Sequence, residues 1–120
     1  MKKLIGALML VSAFASCSKD NEYDLSQGSN NTCDTNAVSY SATIATIMTN
    51  NCNSCHSGGN PSAGVVTSTY AGLNNLSNTL LLGVIKHESG FSAMPSNAPK
   101  LSDCDINKIQ AWINQGKQNN

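Results

Sequence analysis

The sequence Cys52-Asn53-Ser54-Cys55-His56 places two thiols three positions apart and an imidazole directly after the second thiol. This Cys-x-x-Cys-His order is the attachment pattern of a c-type haem, in which the thiols add to the two vinyl groups of the porphyrin and the histidine ligates the iron. Thioredoxin-like redox sites and zinc sites also use paired cysteines, but they need a βαβ context or a second pair of ligands. The sequence offers neither. The pentapeptide therefore predicts one covalently attached haem c, held by Cys52 and Cys55, with His56 as an axial ligand.

Apolar residues at helical spacing precede the pentapeptide and predict a helix over residues 40–51. Either Ser39 or Ser41 can cap the N-terminus of this helix. Residues 58–64 are rich in Gly, Asn and Pro, which predicts a loop directly after the pentapeptide. The apolar residues at helical spacing are Ile44, Ile47 and Met48.

The rest of the chain alternates between helical and irregular segments. Apolar residues predict short helices over residues 70–76 and 78–87, and residues 89–99 carry the Pro, Gly, Ser and Asn of an irregular loop. Ser102 as N-cap and Gly116 as the stop mark the last helix. No strand-like alternation of useful length occurs, so the fold class is predicted as all-α.

The segment 33–120 is predicted to be one domain, close to the size at which an apolar core alone is marginal. Its large aromatic side chains are only Tyr40, Tyr70, Phe91 and Trp112. A covalently held haem would add a large, flat, apolar body to this thin core. We therefore expect three to five short helices packed around the haem.

The N-terminus has the pattern of an export signal. Residues 1–3 read Met-Lys-Lys and precede a short apolar run, which ends in small residues before Cys17. The run is too short to span a bilayer, so residues 1–16 are predicted to be a removable signal peptide. The segment resembles a bacterial lipobox, in which the cysteine becomes the lipid-modified first residue of the mature protein. The alternative is an ordinary secretory signal that leaves Cys17 as a free thiol.

Residues 17–32 contain too few apolar side chains to fold by themselves and are predicted to be a flexible tether. The lipid on Cys17 would hold the exported protein on the periplasmic side of a membrane or at the cell surface. Removal of the signal leaves five Lys against seven acidic residues, and the chain has no Arg and no Lys cluster. Nucleic acid is therefore not expected as a partner.

Taken together, the segments resemble a small class I c-type cytochrome over nearly all of residues 33–120. The likeness rests on the order of helix, Cys-x-x-Cys-His, glycine-rich loop, short helices, Met-Pro loop and a C-terminal helix that carries Trp112. It is closest to the monohaem domains of bacterial lipoproteins, in which a Met-Pro pair precedes a segment like Leu101-Ser102-Asp103. The resemblance implies a cytochrome c-like fold.

In that family, the Met of the Met-Pro loop is the distal axial ligand, which implies Met94 here. Met48 lies on the helix that enters the pentapeptide and so belongs to the proximal side or the core. His87 is the rival distal ligand, because His/His ligation is also stable and gives a lower potential. A core-filling role for Met94 is the other alternative. In the family a loop proline offers its carbonyl to the second imidazole nitrogen, and Pro61 is either that residue or a simple turn proline.

Two cysteines remain once Cys17 is assigned to lipid and the pentapeptide thiols are assigned to haem. They are Cys33 and Cys104, and in an oxidising compartment such thiols are expected to pair. One lies just before the first helix and the other in the first turn of the last helix, and the terminal helices of the family pack together. A Cys33–Cys104 disulfide is therefore predicted, with two separate free thiols as the alternative.

The resemblance implies a monomeric, monohaem electron carrier that serves redox proteins and has no small-molecule substrate. The enzymatic alternative is a peroxidase-like or ligand-binding haem with an open or labile distal position. The distal His and Arg pair of a peroxidase is not available in a chain without Arg. A third hypothesis is a surface lipoprotein whose pentapeptide is accidental or binds zinc, and it predicts that no haem survives a denaturing gel.

Overall fold

The structure is a computed structural model and describes residues 33–120. The predicted signal peptide (residues 1–16), the tether (residues 17–32) and the lipidation site Cys17 lie outside the described residues. Among residues 33–120, no helix has both the length and the apolar character needed to cross a membrane.

The described residues form short helices and contain no strand, which confirms the predicted all-α, cytochrome c-like fold. A π-helical turn, Tyr40–Ile44, continues directly into the first α-helix, so that helical backbone fills the predicted segment 40–51. A 3₁₀ turn, Ser62–Gly64, follows in the glycine-rich loop. The α-helices within residues 33–120 are α1 (Ala45–Asn51), α2 (Tyr70–Asn74), α3 (Asn78–Lys86) and α4 (Asp103–Asn114).

Serine and threonine side chains start the helices by accepting backbone N–H bonds that have no partner within the helix. Ser39 accepts from Ala42 before the first helical segment, and Ser102 accepts from Asp105 before α4. Of the two predicted caps at residues 39 and 41, the structure uses Ser39. At the other end of α4, Gly116 adopts a φ of 91°, and the N–H groups of residues 116 and 117 bond back to the last turn. The predicted stop is therefore a Schellman motif.

The π-helical turn and α1 together form one N-terminal helix over residues 40–51. The core lies where α4 packs against this N-terminal helical segment and α3. Trp112 is fully buried on α4 and lies beside the rings of Tyr40 and Tyr70, at centroid distances of 6.0 Å and 6.4 Å. These three aromatic rings join both ends of the domain to α2. The other fully or nearly fully buried residues include Ile44, Met48, Leu73, Ile85 and Ile109.

A disulfide joins Cys33 to Cys104, which are 71 positions apart in the chain and have Cα atoms 5.5 Å apart. It ties the segment before the first helix to the first turn of α4. The predicted pairing of the two remaining cysteines is therefore present in the structure.

Replacement of both disulfide cysteines (Cys33→Ser with Cys104→Ser) is expected to lower the free energy of unfolding by about 4 kcal/mol, because a cross-link over a loop of this length restricts the unfolded chain. Urea unfolding of the oxidised wild type and the double variant would measure the difference. A loss below about 1 kcal/mol would contradict the chain-entropy reason for this prediction.

Lys117 is buried to 8% exposure immediately after the end of α4. Its ammonium group donates to the backbone carbonyls of Leu73, Asn74 and Leu76, at 3.3, 3.1 and 3.0 Å, and lies 5.7 Å from the centroid of the Trp112 ring. Burial lowers the pKa of Lys117. The buried ammonium thus supplies a donor to the carbonyls of Asn74 and Leu76 at the C-terminal end of α2. It adds a further bond to the Leu73 carbonyl, which also accepts from the Leu76 N–H at 3.2 Å.

Lys117→Met is expected to lower the free energy of unfolding by roughly 1–3 kcal/mol, because it leaves the part-buried carbonyls of Asn74 and Leu76 without this donor. The matched control is Lys100→Met, which removes an exposed lysine whose ion pair with Asp103 lies on the surface. Such surface pairs contribute only about 0–1 kcal/mol. Urea unfolding would measure the free energy of unfolding of both variants. An equal loss in the two would show that the buried ammonium bonds of Lys117 stabilise the fold no more than the surface ion pair does.

Candidate haem site

The pentapeptide forms one helical turn at the end of α1. The Cys52 N–H donates to Met48 O at 2.8 Å, and the His56 N–H donates to Cys52 O at 3.0 Å. This turn places Cys52 and Cys55 three positions apart on one face. Both are free thiols: Cys52 is half-buried, Cys55 is exposed, and burial raises the pKa of the Cys52 thiol.

The imidazole of His56 is oriented by the loop that follows it. Its Nδ1 lies 3.3 Å from the carbonyl oxygen of Val65. Because a carbonyl oxygen only accepts, Nδ1 carries the proton and Nε2 keeps a free lone pair for a metal. Of the two alternatives for Pro61, the structure shows the turn proline: it precedes the 3₁₀ turn, and its carbonyl accepts from the Gly64 N–H at 3.0 Å. The carbonyl beside the imidazole comes from Val65, the residue after that turn.

The glycine-rich loop returns to the pentapeptide at two further points. The Ser62 N–H donates to Cys55 O at 2.9 Å, and the Thr67 N–H donates to His56 O at 2.8 Å. The Thr67 hydroxyl also donates to Asn53 Oδ1 at 2.8 Å, and Thr67 is only 6% exposed. Sequence reasoning missed Val65 and Thr67, since no motif marks a residue whose contribution is a backbone group or a local hydroxyl bond.

Two adjoining cavities, of about 240 Å³ and 320 Å³, lie beside the pentapeptide. They form a single crevice because five residues line both of them, and four of the five come from the pentapeptide, α3 and the Met94 loop. The shared residues are Cys52, His56, Ala63, Ile85 and Met94.

The chemistry of this crevice fits a haem c. Apolar side chains from the N-terminal helix, α3 and the loops beside them line much of its wall, as a flat apolar macrocycle requires. Leu80 lies on the wall at 42% exposure, so the crevice opens to solvent beside a large apolar residue. Thiols, an imidazole and a thioether line the same space, which is the donor set for covalent attachment and axial ligation. The apolar wall includes Met48, Val65, Leu76, Leu81 and Val84.

The two candidate distal ligands occupy different positions. Met94 is half-buried and lines both cavities. His87 caps the C-terminus of α3 and lines neither cavity. The Nε2 atom of His87 lies 3.2 Å from the carbonyl oxygen of Met94. In this structure the imidazole of His87 therefore contacts the backbone of Met94, the other candidate ligand.

Short helices around an apolar crevice, with the Cys-x-x-Cys-His turn on its wall, define a c-type cytochrome domain. The family model described as cytochrome C oxidase, cbb3-type, subunit III matches residues 41–113, which is more than half of the chain. The chain belongs to this family, and it is a monohaem c-type cytochrome. Comparisons with curated proteins and with solved structures found no match.

Family membership supports a role in haem-based electron transfer with redox proteins as partners. The matched region begins within the N-terminal helical segment and ends one residue before the end of α4. It therefore contains the pentapeptide, the whole crevice and the Met94 loop.

Proposed function

We propose that the protein is a membrane-tethered electron carrier with one haem c, attached through Cys52 and Cys55 and ligated by His56 and Met94. The observation that carries this proposal is that the attachment turn and Met94 line one apolar crevice. The bound haem would supply a one-electron Fe(III)/Fe(II) cycle. With both axial positions filled by side chains, no site is left for a small-molecule substrate, which favours a carrier over an enzyme.

The chain's own residues support this ligand set in different ways. The Val65 carbonyl fixes the tautomer and orientation of His56, and outer hydrogen bonds of this kind hold a ligating imidazole in place. A thioether at Met94 would raise the potential, since it stabilises ferrous iron relative to a second imidazole. The apolar wall would keep water from the iron, which would also raise the potential.

The proposed location is outside the cytoplasm, with the folded domain held on the periplasmic side of a membrane or at the cell surface. The basis is the N-terminal sequence alone: residues 1–16 as a signal peptide and Cys17 as the lipid anchor. Residues 17–32 would then link the anchor to the cytochrome domain. The proposed partners are redox proteins that meet a monomer through a small, transient interface beside the crevice opening.

The test uses the full chain produced with the haem-attachment machinery of its host. We expect a single haem per chain that survives a denaturing gel, a reduced-minus-oxidised spectrum of a c-type haem, and one reversible step in a potentiometric titration. Metabolic labelling with a fatty acid would test the anchor, with Cys17→Ser as the control. Absence of gel-stable haem would refute the proposal and leave the zinc or structural alternative.

A further inference from the structure

Both main-chain polar groups of Met94 are bonded to the C-terminal end of α3. Its N–H donates to Val84 O at 2.9 Å, and its carbonyl oxygen lies 3.2 Å from His87 Nε2. Because the carbonyl can only accept, Nε2 carries the proton and donates. The C-terminal end of α3 thus binds both the N–H and the carbonyl of Met94.

His87 has a left-handed backbone conformation, with φ 56° and ψ 41°. This is the helix-ending position that glycine usually occupies, and the Glu88 N–H closes the turn by donating to Gly83 O at 2.9 Å. A residue with a Cβ is less favourable there than glycine. Glycine would fit this backbone conformation better, but only a side chain such as the His87 imidazole can donate a hydrogen bond to the Met94 carbonyl.

The loop between these residues is also packed onto α3. A Cβ atom added at Gly83 would lie 2.5 Å from the ring of Phe91, so the ring rests directly on the helix backbone. The loop therefore returns to α3 once at Phe91 and again at Met94. These contacts leave the Met94 backbone little freedom to move away from the crevice.

We propose that His87 is a positioning residue that holds the backbone of Met94 at the haem crevice and is not itself an iron ligand. This inference rests on the proposed function, in which Met94 is the distal ligand. A ligand on a loop loses conformational freedom when it binds the metal, and a loop that is already tied down loses less. The bond from His87 should therefore make Met94 harder to displace by a competing ligand.

The test compares His87→Gly with His87→Gln in the full, haem-loaded chain. Free imidazole is titrated against the ferric far-red band that marks methionine ligation, and urea unfolding is measured in parallel. We expect His87→Gly to lose the band at roughly fivefold lower imidazole, the fold-change that one net hydrogen bond supplies. Its unfolding midpoint should not fall, because glycine suits the left-handed backbone. His87→Gln keeps an N–H donor and should titrate close to the wild type.

The matched control is Asn97→Gly, in the same loop. Asn97 also has a positive φ, of 59°, but its side chain bonds to the Ser96 hydroxyl and not to Met94. We expect it to titrate like the wild type, which separates the lost imidazole bond from a general loosening of the loop. An equal shift in Asn97→Gly and His87→Gly would overturn the positioning role.

The failures of the two proposals are distinguishable. If the wild type shows the far-red band but His87→Gly titrates like the wild type, only the positioning role is wrong. If the wild type lacks the band and Met94→Ala leaves its spectrum unchanged, the proposed ligand set is wrong. If His87→Gly instead converts a six-coordinate haem to a five-coordinate one, His87 is the ligand and both proposals fall.

Discussion

Replacement of both pentapeptide cysteines (Cys52→Ser with Cys55→Ser) is expected to abolish gel-stable haem. Serine hydroxyls do not form thioether bonds with the porphyrin vinyl groups, so no covalent link can survive denaturation. The fold should also suffer, because the crevice between the N-terminal helix and α3 is bordered by apolar side chains that then face solvent. Haem staining after denaturing electrophoresis and the thermal unfolding midpoint would measure the two effects.

The chain provides a matched control for this double substitution. Cys33→Ser with Cys104→Ser also removes two cysteines, but these form the disulfide at the start of α4 and line neither cavity. We expect that variant to lose stability and keep its stained haem. Gel-stable haem in the Cys52/Cys55 double variant would contradict thioether attachment at the pentapeptide. Loss of stain in both double variants would point to a folding defect that precedes attachment.

The features that the sequence predicted well are those that local chemistry determines. Ser39, Ser102 and Gly116 begin or end helices through their own backbone geometry and side-chain bonds. The structure places Ser102 and Gly116 as predicted and uses Ser39 of the two candidate caps at the first helix. The buried stripe of Ile44, Ile47 and Met48 follows from helical spacing alone. Such signals lie within a few residues of each other, so a pattern can reveal them.

The features that the sequence did not predict depend on contacts between distant segments. The carbonyl that orients His56 belongs to Val65, nine positions away, because the 3₁₀ turn brings the carbonyl of that residue, and not that of Pro61, to Nδ1. Burial of Lys117 depends on where α2 ends relative to the Schellman turn of α4. Every residue carries the same backbone carbonyl, so the residue types in a sequence do not indicate which carbonyl will make such a contact.

The contact between His87 and Met94 belongs to the same group. The sequence left the two residues as alternative ligands, because the family resemblance implies Met94 and a His/His pair through His87 would also be stable. In the structure they form one unit, in which the imidazole contacts the carbonyl of the methionine. Competing candidates for a single role can therefore be neighbours with complementary roles.

Met94→Ala is expected to remove the far-red band of the ferric protein and to lower the midpoint potential by on the order of 0.1–0.2 V, within the roughly 0.8 V range that axial ligands set. The physical reason is that the thioether stabilises ferrous iron, and the water or histidine that replaces it does so less. Potentiometric titration of the haem-loaded wild type and variant would measure the shift.

Met48→Leu is the matched control, because Met48 also lines the crevice but lies on the N-terminal helix at 1% exposure. The substitution keeps the apolar volume and is expected to leave both the band and the potential near wild-type values. Loss of the band in Met48→Leu and its survival in Met94→Ala would exchange the roles of the two methionines. A wild type that binds cyanide as readily as Met94→Ala would instead indicate an open distal position, and the ligand-binding alternative would then replace the electron carrier.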